Sequence, residues 1–150
     1  MLPDVTLQLQ TDRGVFAAAA VDPGTKLLLL ESPPPPDAAV DVNRRALALC
    51  EANAKANGLT NVRVVEPDAV PGDVVFAGIW SNPPIRIGKA ALHDLLLAWL
   101  GRLTPDGRAC LVVQKHLGSD SLAKWLDEQG WPTARRAARA GYRVLEVRRA

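Results

Sequence analysis

The sequence predicts an α/β domain: a mostly parallel sheet covered by helices and closed by a C-terminal antiparallel hairpin. Three observations carry that expectation. Short apolar runs at 38–40, 62–65, 74–80 and 109–114 alternate with stretches of helical spacing, and strands that alternate with helices pair in parallel with helices on both faces. The run Val74 to Trp80 is continuous, as in a buried strand, and Ser81-Asn82-Pro83-Pro84-Ile85 ends it, since each proline lacks the N–H that a central ladder needs. Thr133 to Ala138 and Tyr142 to Val147 flank Ala140-Gly141 and read as the closing antiparallel pair.

Composition narrows the class. A chain of 150 residues is the size of one domain with its own core. It is read as a single domain, with an N-terminal strand and helix over 1–32, a Pro-rich linker over 33–37 and a core over 38–150. Apolar residues make up 48% and charged residues 23%, which fits a globular rather than a disordered chain. The net charge of +2 is too small to demand nucleic acid. Its distribution says more: Arg135, Arg136, Arg139, Arg143, Arg148 and Arg149 lie in the last 16 residues, where they either steer a polyanion or form a solvated edge. Cys50 and Cys110 sit inside apolar segments and read as reduced core residues rather than a disulfide or metal site. No signal peptide is recognisable, and Leu27 to Leu30 is too short to span a membrane. A cytoplasmic protein without metal or membrane is expected.

The elements follow in order. Val5 to Gln10 alternates with period two, as a half-buried strand does, and Asp12-Arg13-Gly14 is a turn. Asp22 caps a helix with Pro23 at its first position, which runs through the leucines to about Glu31 and packs on the sheet. Ser32 to Asp37 is a stiff polyproline linker. Ala38 to Asp41 is a strand ending in a carboxylate. A helix from Asn43 or Arg44 to about Asn57 is stopped by Gly58 and carries Ala46, Leu49, Cys50 and Asn53 on one face. Val62 to Val65 is a strand followed by Pro67-Asp68. Beyond Asn82, Ala90 to Leu103 is an amphipathic helix, Thr104-Pro105-Asp106-Gly107 a turn, Ala109 to Gln114 a strand and Ser121 to Gln129 a helix stopped by Gly130.

Ligands of open α/β sheets bind where strands end at their carboxyl side, which directs attention to Asn82. Its side chain offers a carbonyl acceptor on a backbone stiffened by Pro83 and Pro84, suited to holding an exocyclic amine. Asn-Pro-Pro followed by an apolar residue resembles motif IV of the class I amino-methyltransferases. With Gly14-Val15-Phe16, the stretch Val21 to Glu31 and Ser81 to Lys89, the chain resembles the small-subunit ribosomal RNA guanine-N2 methyltransferase family over nearly its whole length.

The resemblance implies a Rossmann-like fold, S-adenosylmethionine as cofactor, and ribosomal RNA or the small ribosomal subunit as partner. It assigns Asn82, Pro83, Pro84 and Ile85 to the catalytic end of the strand. Asp41 falls where an acidic residue meets the ribose hydroxyls, and Asp68 where one meets the adenine; the bland readings are a helix cap for Asp41 and a turn for Asp68. Arg86, Lys89 and Lys115 are candidates for RNA phosphates, with a solvated loop the alternative. Ile85 replaces an aromatic residue that stacks on the base in many relatives. His116 is read as structural or RNA-contacting, and His93 as a surface residue.

One element of the family is missing. Its Gly-rich loop belongs between the leucine helix and Val40-Asp41-Val42-Asn43, yet Pro36-Asp37 runs almost directly into Ala38, and no Gly-x-Gly occurs anywhere in the chain. The gap matches one strand, loop and helix, on the order of 30 residues. An internal deletion accounts for family-like flanks on both sides better than divergence does. The missing strand would be central in the sheet, so its neighbours must close up or leave backbone groups unpaired. Two functions of different class follow: a methyltransferase acting on an exocyclic guanine amine of RNA, inactive in this form, and a non-catalytic remnant that binds RNA or protein through its basic C-terminal region. Methylation of a protein amide by the same Asn-Pro-Pro chemistry is a third.

Overall fold

In the computed structural model the described residues, 8–13, 15–17, 20–31 and 38–150, form strands and helices in alternation. Helix α1 spans Pro23–Glu31, α2 Arg44–Ala56, α3 Lys89–Leu100 and α4 Ser119–Glu128. Strand β1 spans Ala38–Val40, β2 Arg63–Val65, β3 Phe76–Ser81, β4 Leu103–Gln114, β5 Thr133–Arg139 and β6 Tyr142–Arg148. The expected strand at Val5 to Gln10 falls mainly on residues outside those described, and Gln8 to Gln10 form no strand. The expected Pro-rich linker also lies outside them.

The strands make two sheets rather than one. β1 and β2 are a parallel pair, with Ala38 opposite Arg63 and Val40 opposite Val65. The other four lie in the order β3–β4–β6–β5, with β3 parallel to β4 and β6 antiparallel to both β4 and β5. The chain divides accordingly into two compact units: Met1–Asp22 with Pro35–Val74, and Pro23–Pro34 with Val75–Ala150. The expectation of a central strand leading to Asn82 is corrected: β3 is the edge strand of its sheet, paired only with β4 among the described residues. It begins at Phe76, and Val75 just before it is 58% exposed.

The first unit is held by polar contacts. Asn43 caps α2, its Oδ1 accepting from Arg45 N–H at 3.0 Å and Ala46 N–H at 3.3 Å. Asn57 and Gly58, the latter at φ +69°, end the helix. Asn53 exchanges hydrogen bonds with the Gln10 backbone at 2.7 and 3.1 Å, Asn57 Nδ2 donates to Gln8 O at 3.1 Å, and Arg45 pairs with Asp12 at 2.6 Å. No described residue of this unit is fully buried.

The second unit holds the buried core. β4 carries Ala109, Leu111 and Val113 on one face and Cys110 and Val112 on the other, and all five are buried. The first face packs with Leu145 and Val147 of β6 under Leu92, Leu96 and Leu100 of α3 and Leu122 and Leu126 of α4. The second packs with Val144 under Leu27 and Leu28 of α1, as the sequence predicts for the leucine helix. A strand buried on both faces reads as a continuous apolar run, which is why Ala109 to Val113 was legible. Each fully buried leucine contributes about 1.5–3 kcal/mol over an exposed one.

Two boundaries move. The helix expected to reach Leu103 ends at Leu100, and Leu103 opens β4. The expected turn at Thr104 to Gly107 is absorbed into β4 as a bulge: Phe76 pairs with Leu103 and Gly78 with Arg108, so four residues of β4 loop out between ladder positions. Gly107 permits this, since a Cβ there would lie 2.9 Å from Thr104 O and 3.0 Å from Phe76 O. The hairpin forms as expected, with Ala140 at φ +49° and Gly141 at φ +82° between β5 and β6.

Candidate functional site

The second unit contains the strand exit. β3 and β4 are parallel, with Ser81 opposite Leu111, so Asn82 leaves the sheet at the end where β4 finishes. Asn82 is exposed, Pro83 is buried and Pro84 is exposed. The Asn82 Nδ2–H donates to Thr25 Oγ1 of α1 at 3.4 Å, which ties the amide to the leucine helix. Sequence reading missed Thr25; the only signal was a hydroxyl in the first turn of that helix. The Pro83 carbonyl accepts the Ile85 N–H at 2.8 Å and the Pro84 carbonyl accepts Ile87 N–H at 3.1 Å, which curls 85–87 into one 3₁₀ turn. A carbonyl has two lone pairs, so Pro83 keeps acceptor capacity.

Ile85 packs against the core side of α3 rather than standing out from the turn. With Lys89, His93, Leu117, Ser121 and Leu122 it lines a hollow of about 210 Å³. His93, expected at the surface, stacks on Trp125 with ring centroids 3.4 Å apart and planes 13° apart. Desolvation and then the Lys89 charge push its pKa below the ordinary value, against a smaller upward pull from Asp94. Arg86 and Lys89 are exposed just beyond the exit. Lys115 and His116 are exposed in the 3₁₀ turn that ends β4, where Lys115 N–H donates to Gly141 O at 2.7 Å. The second unit thus brings Arg86, Lys89 and Lys115 to the end of the sheet where Asn82 leaves it.

Asp41 and Asp68 belong to the first unit. β1 and β2 are parallel, so Asp41 and the 3₁₀ turn Pro67–Ala69 follow the same end of that pair. Asp41 is exposed, and its Oδ1 accepts Asn43 N–H at 2.8 Å. It therefore braces the capping residue, while Asn43 does the capping. Asp68 lines an open hollow of about 520 Å³ with Leu47, Val64, Val65, Glu66 and Ala69, and Arg44 pairs with Glu66 at 2.8 Å beside it.

S-adenosylmethionine fits these residues in part. Asp41 and Asp68 put two carboxylates at one end of a parallel pair, Asp68 beside an open hollow whose other walls are Leu47, Val64, Val65, Glu66 and Ala69. The methionine end needs a Gly-rich backbone cradle between a central strand and its helix; the chain has no Gly-x-Gly, and β3 is a sheet edge. Among the described residues no group of His, Cys, Asp and Glu is arranged to hold a metal ion, and no helix is long and apolar enough to cross a membrane.

Residues 34–146 match the model of the methyltransferase small domain family. The chain is 33% identical over 113 residues to the uncharacterized protein YbxB of Bacillus subtilis, covering 73% of this chain and 56% of that one. It is 27% identical to ribosomal RNA small subunit methyltransferase C of Shewanella amazonensis, covering 85% of this chain and 46% of the relative. The chain spans about half the length of the curated relatives it matches. The Shewanella alignment runs over 157 positions, but 85% of 150 residues is about 128, so about 29 aligned positions have no counterpart here. In fold, the chain is similar to the T. thermophilus 16S rRNA N2 G1207 methyltransferase RsmC in complex with AdoMet and guanosine, with a TM-score of 0.77 at 21% identity over 91% of this chain and 46% of that one. A methyltransferase from Pyrococcus furiosus gives a TM-score of 0.64 at 19% identity over 84% of this chain and 69% of that one.

Proposed function

The chain belongs to the methyltransferase small domain family, whose class I fold uses S-adenosylmethionine, and from that premise we propose that it derives from a ribosomal RNA guanine-N2 methyltransferase and does not transfer methyl groups in its 150-residue form. The observation that carries the reading is Asn82 at the exit of β3, with Pro83 and Pro84 fixing its backbone. In this reading the Asn82 amide oxygen and the Pro83 carbonyl accept from the exocyclic amine, so that the nitrogen lone pair is held in position. A neutral aromatic amine needs placement more than deprotonation, which is why no base is assigned and His116 stays outside the chemistry. Ile85 supplies apolar contact and no stacking. Arg86, Lys89 and Lys115 meet phosphates. Asp41 faces the ribose hydroxyls of the cofactor and Asp68 its adenine; when bound, the cofactor supplies an electrophilic methyl group.

The loss of activity rests on the missing positions. About 29 aligned positions without a counterpart match the size of one strand, loop and helix, and β3 is left at a sheet edge. Titration with S-adenosylhomocysteine, followed by thermal unfolding, tests this. A site with a cradle gains stability as ligand exceeds its Kd; this chain should gain little. Single-turnover transfer of labelled methyl to 16S rRNA should be undetectable here and should appear once a strand–loop–helix unit from a relative is restored between Asp37 and Ala38. Vigorous transfer by the 150-residue chain would overturn the reading, and so would a restored chain that binds cofactor but leaves guanine untouched.

A further inference from the structure

The geometry points to an RNA phosphate track along the end of the four-stranded sheet where Asn82 emerges, running from Arg86 and Lys89 through Lys115 to Arg139. It rests on the RNA reading above and extends it from the strand exit across the sheet to the β5–β6 turn. Topology makes the row. β3 and β4 finish at this end, β5 finishes there and β6 begins there. Arg139 lies opposite Tyr142, Tyr142 opposite Gln114, and Lys115 is bonded to Gly141. Neighbouring strands are about 4.8 Å apart, so the Arg139 and Gln114 backbones are about 10 Å apart with Tyr142 between them.

Ion pairs divide the cations into two groups. Of the six arginines near the C-terminus, Arg135 is held by Asp120 at 3.0 Å, Arg136 and Arg148 by Glu146 at 2.6 and 2.7 Å, and Arg149 donates to Leu103 O at 2.8 Å. Arg135 and Arg136 also lie on β5, an edge strand interrupted by a bulge between Arg135 and Ala137. Charge and a bulge on an edge protect against strand addition, which accounts for them without a ligand. The cations at the Asn82 end differ. Arg86, Lys89, Lys115 and Arg139 are exposed and hold no ion pair among the described residues. Arg143, the second residue of β6, has a buried Nε with no partner among the described residues, and its Nη1 donates to Tyr142 O at 3.4 Å. Exposed guanidinium and ammonium groups in a row, with no carboxylate partner among the described residues, suit the oxygens of a phosphate backbone. The basic C-terminal region as a whole is therefore not the interface; its share is Arg139 and Arg143.

Fluorescence anisotropy of a labelled single-stranded RNA with the intact 150-residue chain tests the track, and no methyl transfer is read. Two double variants of equal net charge are compared after their melting curves show that both fold: Lys115→Gln with Arg139→Gln, and Arg148→Gln with Arg149→Gln. The first should lose about tenfold or more in affinity, and its slope of log K against log salt should fall by about 1.4, the loss of two phosphate contacts on a single strand. The second should stay within about twofold of the parent. Equal losses in the two variants would overturn the track in favour of unspecific attraction, as would competition by polyglutamate as effective as by unlabelled RNA. A parent chain that binds no RNA at low salt, alongside a restored chain that methylates it, would sink the track and leave the methyltransferase reading standing.

Discussion

Asn82 is placed by its neighbours on both sides. The buried Pro83 anchors the backbone after it, and its amide reaches Thr25 Oγ1 at 3.4 Å. In a chain with the strand–loop–helix unit restored, Asn82→Ala removes a contact to the nucleophile and none to the cofactor. Methyl transfer should fall about 100-fold, on the scale of one lost positioning donor or acceptor, with S-adenosylhomocysteine affinity unchanged. Calorimetry and single-turnover kinetics on the same variant check both halves; an unimpaired rate would remove Asn82 from the chemistry. Ala140 is a second residue set by geometry. It takes φ +49° and Gly141 φ +82°, the two positive angles of a type I′ hairpin turn, where Asn-Gly is preferred. An L-residue with a Cβ costs roughly 1–2 kcal/mol in that region, which Asn tolerates better. Ala140→Asn should therefore stabilise the chain by about 1 kcal/mol in urea unfolding, and a destabilised variant would show that the turn is not strained.

At the scale of elements, the arginine-rich hairpin has one carboxylate holding it across strands. Glu146 of β6 accepts from Arg136 of β5 and from Arg148. Burial alone would raise its pKa, but the hydrogen bonds and charges of Arg148 and Arg136 outweigh it and hold the carboxyl below the ordinary range. Such a group stabilises the fold above the unfolded-state value, about 4.3, and that stability is lost as pH falls through the lower folded-state value. Glu146→Gln should be weaker than the parent near neutral pH, and the gap should close as both are taken to acid in urea titrations. A gap that stays constant with pH would mean that the carboxylate charge is not what holds the hairpin. Elements were legible in the sequence where their cause is local. Asn43 and Gly58 bound α2 through their own caps, and Ala109 to Val113 showed a strand buried on both faces. The bulge at 104–107 was read as a turn because Pro105 and Gly107 carry turn chemistry, while the pairing of Phe76 with Leu103 that absorbs it is non-local. The partners of Arg135 and Arg136 were hidden for the same reason: Asp120 lies 15 residues away on α4 and Glu146 lies across the hairpin, whereas Arg148 meets Glu146 two residues away on its own strand. Asn82 was legible as a strand exit, but its contact with Thr25 joins residues 57 apart in the chain.

For the whole molecule, the two units differ in what holds each of them together. Among the described residues, every buried hydrophobic residue, from Leu27 to Val147, belongs to the second unit. The first is joined by side-chain amides and exposed ion pairs, such as Arg44 with Glu66, and exposed pairs contribute at most about 1 kcal/mol each. Local opening is governed by buried apolar contacts and by how exposed the backbone hydrogen bonds are. Native-state hydrogen exchange should therefore show the amides of α2, β1 and β2 exchanging through low-energy local openings, while those of β4 and β6 exchange only with global unfolding. Restoring a strand–loop–helix unit changes that expectation, because an added strand pairs backbone groups that an edge leaves open. In the restored chain the protection of α2 should rise toward that of β4, and the gain should appear without any ligand. Equal protection of both units in the 150-residue chain would show that the first unit already folds cooperatively with the second. The loss of the Gly-rich unit would then be a local loss of the methionine cradle rather than a division of the domain.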